Sequence, residues 1–161
     1  MSPVDAAPHE AFLRQAIRLS LESVAQGGGP FGAVVVCAGR VIGTGQNRVT
    51  LHRDPTAHAE IVALREACRS VDHFALRGCE LYTSCEPCPM CLGAILWARI
   101  DRVWFGNTRE DAAAIGFDDR EFYEEICRPL MQRRLPMHGL LRHEAQAAFQ
   151  AWTGHAERTP Y

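Results

Sequence analysis

The chain changes character abruptly across Gly27-Gly28-Gly29-Pro30, and that break limits what can follow. Over residues 10–26, Phe12, Leu13, Ala16, Ile17, Leu21 and Val24 recur at helical spacing, which predicts an amphipathic first helix with a glycine stop. Residues 31–37 are rich in β-branched valine, and Ala38, Gly39 and Arg40 separate them from residues 41–49. That pattern predicts a hairpin whose second strand ends near Gln46 and Asn47. The glycines also spell Gly27-x-Gly29-x-x-Gly32, a literal dinucleotide fingerprint. The fingerprint needs a strand before it and a helix after it, whereas the order here is reversed, and Pro30 removes a backbone donor that a phosphate cradle would use. The nucleotide reading is discarded.

Further on, Asp54-Pro55 reads as an N-cap and first helical position, with Ile61, Leu64 and Cys68 marking the inner face of a second helix. A strand is expected within residues 76–84, a turn over 85–89, a third helix over 90–98 and a strand over 100–105. Beyond Asn107 the pattern is mainly helical, with short helices over 110–115, 120–126 and 144–152 broken by Gly116, Pro129, Pro136 and Gly139. Strands alternating with helices after an opening hairpin predict an α/β layer structure with a mixed sheet. At 161 residues the chain is sized for a single domain, residues 1–161.

All 17 basic residues are arginine, and the missing lysines exclude Schiff-base, lysine-nucleophile and Walker-type chemistry. With a net charge of −2 and scattered arginines, no nucleic-acid footprint is expected; the last 42 residues carry six arginines against five glutamates. No stretch approaches a membrane span, and the first ten residues lack the basic and apolar regions of a secretion signal, so a cytoplasmic protein is expected. Seven cysteines, an odd number, argue for reduced thiols or metal ligands over a disulfide framework.

The chemistry concentrates in His58-Ala59-Glu60 followed, after one strand, by Pro87-Cys88-Pro89-Met90-Cys91, the zinc deaminase signature. One imidazole (His58) and two thiolates (Cys88, Cys91) leave the fourth tetrahedral position to water, the arrangement of a catalytic zinc. Cys88 and Cys91 face the same way on a first helical turn, where the helix dipole favours thiolate. His58 and Glu60 would point to different sides of a helix interior, so they converge only if the metal sits off a helix tip. Glu60 is then the proton shuttle, base first and acid second. A cytosolic C-x-x-C redox pair is the bland alternative. An iron–sulfur run from Cys85 fails because Ile95 stands where its fourth cysteine is needed.

With those residues the sequence resembles the cytidine deaminase-like superfamily, and within it the bacterial guanine deaminases. The resemblance runs through Gly29-Pro30-Phe31-Gly32-Ala33-Val34, Gln46-Asn47, Asp54-Pro55-Thr56-Ala57-His58-Ala59-Glu60, residues 82–94 and Trp97-Ala98-Arg99. It continues in Gly116-Phe117-Asp118-Asp119, Phe149-Gln150-Ala151-Trp152 and Tyr161. It implies a three-layer cytidine deaminase-like fold, a central mixed β-sheet flanked by helices, with one zinc per subunit on His58, Cys88 and Cys91. It implies conversion of guanine and water to xanthine and ammonia. In the implied pocket Asn47 hydrogen-bonds the purine, Asp119 reads its polar edge, the Ala59 amide meets a ring carbonyl, and Phe31, His58 and Trp97 wall the ring. It further implies a homodimer in which the segment from about residue 140 to 161 crosses over, so that Tyr161 closes the partner's site, with Glu144 near the pocket. The tail departs from related sequences at Thr159-Pro160, where proline stiffens the approach.

Read from the residues alone, Asn47 could satisfy a turn, Trp97 could be core, and Asp119 could cap a helix. Rival functions are deamination of another small substrate (cytosine, guanosine or an ammeline-like aminotriazine), a tRNA adenosine deaminase, and a non-catalytic zinc module for which Glu60 is dispensable.

Overall fold

The computed structural model describes the backbone of residues 3–160 and the side chains of residues 7–160. The chain divides into two compact units with the boundary after Asp119.

The first unit opens with helix α1 (Pro3–Ala25), followed by strands β1 (Gly32–Cys37) and β2 (Arg40–Gln46). The hairpin turn is Ala38-Gly39, both at positive φ (48° and 75°), the handedness that matches the twist of a two-residue loop. A one-turn helix α2 (Val49–His52) precedes α3 (Ala59–Ser70), β3 (Cys79–Cys85), α4 (Pro89–Trp97), β4 (Arg102–Asn107) and α5 (Arg109–Ala114). The sheet order is β2-β1-β3-β4; β1 is antiparallel to both neighbours, and β3 and β4 run parallel through the α4 crossover.

Alternation along the strands separates two apolar layers. Ala33, Val35, Cys79 and Leu81 face α3 and α4, meeting Ala63, Leu64, Ala67 and Ile95. Val34, Val36 and Tyr82 face α1, meeting Ala16, Phe12 and Leu13. The expected three-layer α/β arrangement with a mixed sheet is the one observed.

Three readings are corrected. Helix α1 starts well before residue 10 and carries Pro8 inside it. Its inward seam is also built from smaller groups than the periodicity suggested: Ala16, Ser20 and Ser23 are buried, while Leu21 is 66% exposed. The cause is close approach, since a Cβ on Gly32 would lie 2.3 Å from the Ala16 carbonyl oxygen. Finally, Asp54-Pro55 does not start α3. Asp54 Oδ1 accepts from the Thr56 N–H (2.8 Å) and hydroxyl (2.7 Å), an Asx turn that spends the side chain locally and leaves residues 55–58 to lead into the helix.

The second unit holds α6 (Arg120–Cys127), a 3-10 turn (Leu130–Gln132) and α7 (Arg142–Gly154), and none of these contains a buried residue. Among the described residues no helix is long and apolar enough to cross a membrane.

Candidate active site and metal centre

Helices α3 and α4 both begin at one end of the sheet, and the residues preceding them are His58 and Cys88. Each occupies the N-cap in extended backbone (ψ 155° and 169°), and neither side chain caps its own helix. The two side chains meet each other instead. His58 Nδ1 lies 3.6 Å from Cys88 Sγ and 3.5 Å from Cys91 Sγ, and the three donor atoms all lie within 4.8 Å of one another. Pro89 starts α4, where its missing N–H costs nothing. Cys91 is fully buried one turn along from Cys88.

The arrangement fits zinc. Tetrahedral bonds of about 2.3 Å to sulfur and about 2.0–2.1 Å to nitrogen require N···S separations of about 3.5–3.6 Å. The observed separations match, and the donors are the borderline-soft set that zinc prefers. Both ligand helices also aim their positive ends here, which favours thiolate.

The protons of the cluster are unevenly held. The Cys88 thiol is pulled down to about 4, first by the hydrogen bond from Cys91 and then by His58, against the effect of burial. Cys91 is pushed up by that same bond and by burial, and the His58 imidazole is raised by its bond to Cys88. A cation seated on all three atoms displaces the remaining ligand protons. Glu60, in the first turn of α3, is 5% exposed, and burial raises its carboxyl. Its Oε2 accepts from Cys91 at 3.5 Å and its Oε1 from the Thr83 hydroxyl at 3.1 Å.

The structure brings other expected residues to the same end of the sheet. Asn47 is buried; its N–H donates to the Phe31 carbonyl (3.0 Å), and its Oδ1 accepts from Val49 N–H (3.3 Å). Gly29 lies against it, where a Cβ would stand 3.0 Å from the Asn47 Cγ. Ala59 is buried at the first position of α3, where a helix leaves N–H groups without intrahelical acceptors. Phe31 packs edge-on against Phe117, with ring centroids 5.0 Å apart. Asp119 is raised first by burial and next by the charge on Cys88, so it lies within electrostatic reach of the cluster.

Trp97 is different: it closes α4 at the end opposite Cys88, about 13 Å along the helix axis, is 60% exposed and has Arg99 over its ring at 5.8 Å. Glu144 is exposed in the first turn of α7, in the second unit. Tyr161 lies outside the described residues. Sequence reasoning passed over Thr83 as a site residue. A fully buried hydroxyl on β3 becomes visible only once register sets it beside Glu60.

Residues 6–107 match the family model of the cytidine and deoxycytidylate deaminase zinc-binding region. The chain belongs to this zinc deaminase family. Among family members, the guanine deaminase of Bacillus subtilis (strain 168) is 49% identical over 154 residues, covering 95% of this chain and 99% of that one. The solved structure of guanine deaminase from B. subtilis superposes with a TM-score of 0.92 over 95% of this chain and 98% of that chain. A protein solved in complex with 2,6-diaminopurine is 40% identical with a TM-score of 0.67, over 71% of this chain and 64% of that chain. The tRNA-specific adenosine deaminase of Aquifex aeolicus (strain VF5) is 44% identical over 96 residues, 60% of this zinc deaminase chain and 64% of that one.

Proposed function

We propose that the protein is a zinc-dependent aminohydrolase that converts guanine and water to xanthine and ammonia. The observation that carries this reading is Glu60 buried against a one-imidazole, two-thiol cluster, in a chain whose likeness to a guanine deaminase spans 95% of its length. A match that long runs into the second unit, whereas the match to the tRNA enzyme of A. aeolicus covers 60% of the chain.

Zinc, held one per subunit by His58, Cys88 and Cys91, would lower the pKa of a water molecule toward neutrality and polarise it for attack on the amino-bearing ring carbon. Glu60 does the proton work. Its carboxylate accepts the water proton, delivers it to the adjacent ring nitrogen, and then carries a proton to the departing amino group as the C–N bond breaks. The burial that raises its carboxyl suits a group that must hold and release a proton in one turnover. Thr83 holds Oε1 and so fixes the rotamer. Asn47 and the Ala59 amide would take the purine's polar atoms, Asp119 its donor edge, and Phe31 and His58 its faces.

The second unit cannot stand on its own core. None of the residues in its helical segments is buried, and Phe122 (62%), Met131 (91%), Leu140 (83%) and Phe149 (68%) are exposed. A homodimer in which the segment from about residue 140 to 161 crosses over would cover Leu140 and Phe149 and bring Tyr161 and Glu144 to the partner's site, with Trp97 as a wall of the purine ring. That the first unit and this segment belong to one functional domain is part of the same reading. The cytoplasm, where thiols rather than structural disulfides are the rule, is the compartment that suits its free cysteines.

Ammonia release by the zinc-loaded protein should appear with guanine and be absent with guanosine, adenine, cytosine and a tRNA anticodon stem. A −2 chain with six arginines against five glutamates in its last 42 residues offers RNA little. Activity on the tRNA stem, or silence on guanine with activity elsewhere, would discard the pocket assignment. Thr83→Val should lower kcat roughly tenfold with KM little changed, in line with one lost hydrogen bond to a charged group, and Thr83→Ser should restore it. Equal kcat in the valine variant would remove Thr83 from the mechanism.

A further inference from the structure

Outside the metal cluster the sheet carries a second sulfur pair. Cys37, the last residue of β1, is directly opposite Cys79, the first residue of β3, in an antiparallel ladder. The Cys79 carbonyl accepts from Asp101 N–H at 3.0 Å and its N–H donates to Leu76 at 3.2 Å, so its backbone hydrogen bonds do not go to Cys37. The two therefore form a non-hydrogen-bonded pair, the kind whose Cα atoms are about 4.5 Å apart and whose side chains stand closest. That spacing lies within the roughly 4.4–6.8 Å that a disulfide spans. Both side chains enter the α3 layer: Cys79 is buried, and Cys37 is partly buried against the same cluster. Burial, followed by the adjacent Cys37 thiol, pushes the Cys79 thiol up to about 12.

We propose that Cys37 and Cys79 form a redox-active thiol pair that closes into a reversible cross-strand disulfide by exchange with a low-molecular-weight disulfide. Cys37 is the entry point because it is partly exposed while Cys79 is not. Its thiolate attacks one sulfur of the small disulfide, whose S–S bond breaks and releases one thiolate. The Cys79 sulfur then attacks the Cys37 sulfur, its proton passing to the departing small thiolate, which leaves as the second small thiol. Two protein thiols are oxidised to one disulfide as one small disulfide is reduced to two thiols. The bond would tie together the ends of the segment that carries β2, α2 and α3, and with α3 both His58 and Glu60. It would form six residues, about 20 Å of strand, from Cys85 at the metal end.

The test uses zinc-loaded protein treated with oxidised glutathione, so that Cys88 and Cys91 are protected as ligands. Thiols counted after denaturation with a chelator should fall by two from the starting seven, digestion should yield the Cys37 and Cys79 peptides cross-linked, and dithiothreitol should reverse both. Cys37→Ser should retain all its remaining thiols, and Cys79→Ala should stall as a glutathione adduct on Cys37. A wild-type protein that keeps all its thiols, stalls as that adduct, or cross-links Cys68, Cys85, Cys88, Cys91 or Cys127 instead would overturn the pair. None of these outcomes bears on which base the enzyme deaminates.

Discussion

Glu60→Gln is expected to cut ammonia release from guanine by roughly 10²–10⁴-fold while the protein still binds zinc, with Glu60→Ala at least as impaired. The separation of the two readouts follows from position. Glu60 is not one of the three atoms that meet at 3.5–3.6 Å; it stands beside them, with one oxygen toward Cys91 and the other held by Thr83. Glutamine fills the same volume and can still accept from Thr83, but cannot take a proton at neutral pH. Zinc content by atomic absorption, measured alongside ammonia release, checks both halves. Wild-type turnover in the glutamine variant would leave a zinc-binding module and remove the deaminase mechanism.

A second large effect is expected at a residue with no polar atoms beyond its backbone. A Cβ on Gly45 would lie 2.0 Å from the Ala59 carbonyl oxygen and 2.6 Å from Ala63 N, and one on Gly43 would lie 2.4 Å from the Ala63 oxygen. Strand β2 and helix α3 thus pack backbone to backbone, with Ala59, Ala63 and Ala67 fully buried in the seam. No flexible side chain is available to yield. Gly45→Ala must therefore displace α3 by about an ångström, at about 3 kcal/mol, the upper end of the usual overpacking cost. Because α3 carries Glu60 in its first turn and His58 at its cap, turnover should fall as well, by about 10²-fold for a displacement of that size. Thermal denaturation and kcat on guanine check the two effects. An unchanged melting temperature with unchanged kcat would mean that the seam is slack.

The metal set was legible because its information is local. Cys88 and Cys91 are one helical turn apart, His58 and Glu60 two residues apart, and each motif sits at a helix start, where short-range spacing nearly fixes direction. The start of α3 was misread for a related reason: Asp54 is a good cap in isolation, and only its bonds to Thr56 show that the side chain is already spent. Thr83 carried no local signal at all. Its partner is 23 residues away, and β3 register together with the approach of α3 brings the hydroxyl to Glu60. The face of α1 was misjudged because periodicity finds large apolar residues, whereas close packing on β1 selected Ala16, Ser20 and Ser23.

The sequence by itself determined the order of the strands and of the longer helices, though not the one-turn α2, together with the α/β class and the two halves of the zinc-type donor set, since each depends on periodicity or spacing within about a dozen residues. The tertiary structure decided which N-caps converge, how closely α3 and α1 lie on the sheet, which hydroxyl holds Glu60 and which cysteines face each other across β1 and β3. Those are contacts between residues tens of positions apart. They exist only after strand register and helix packing are fixed together, because a one-residue slip of a strand would send its side chains to the other face and one of a helix would turn its side chains by about 100°.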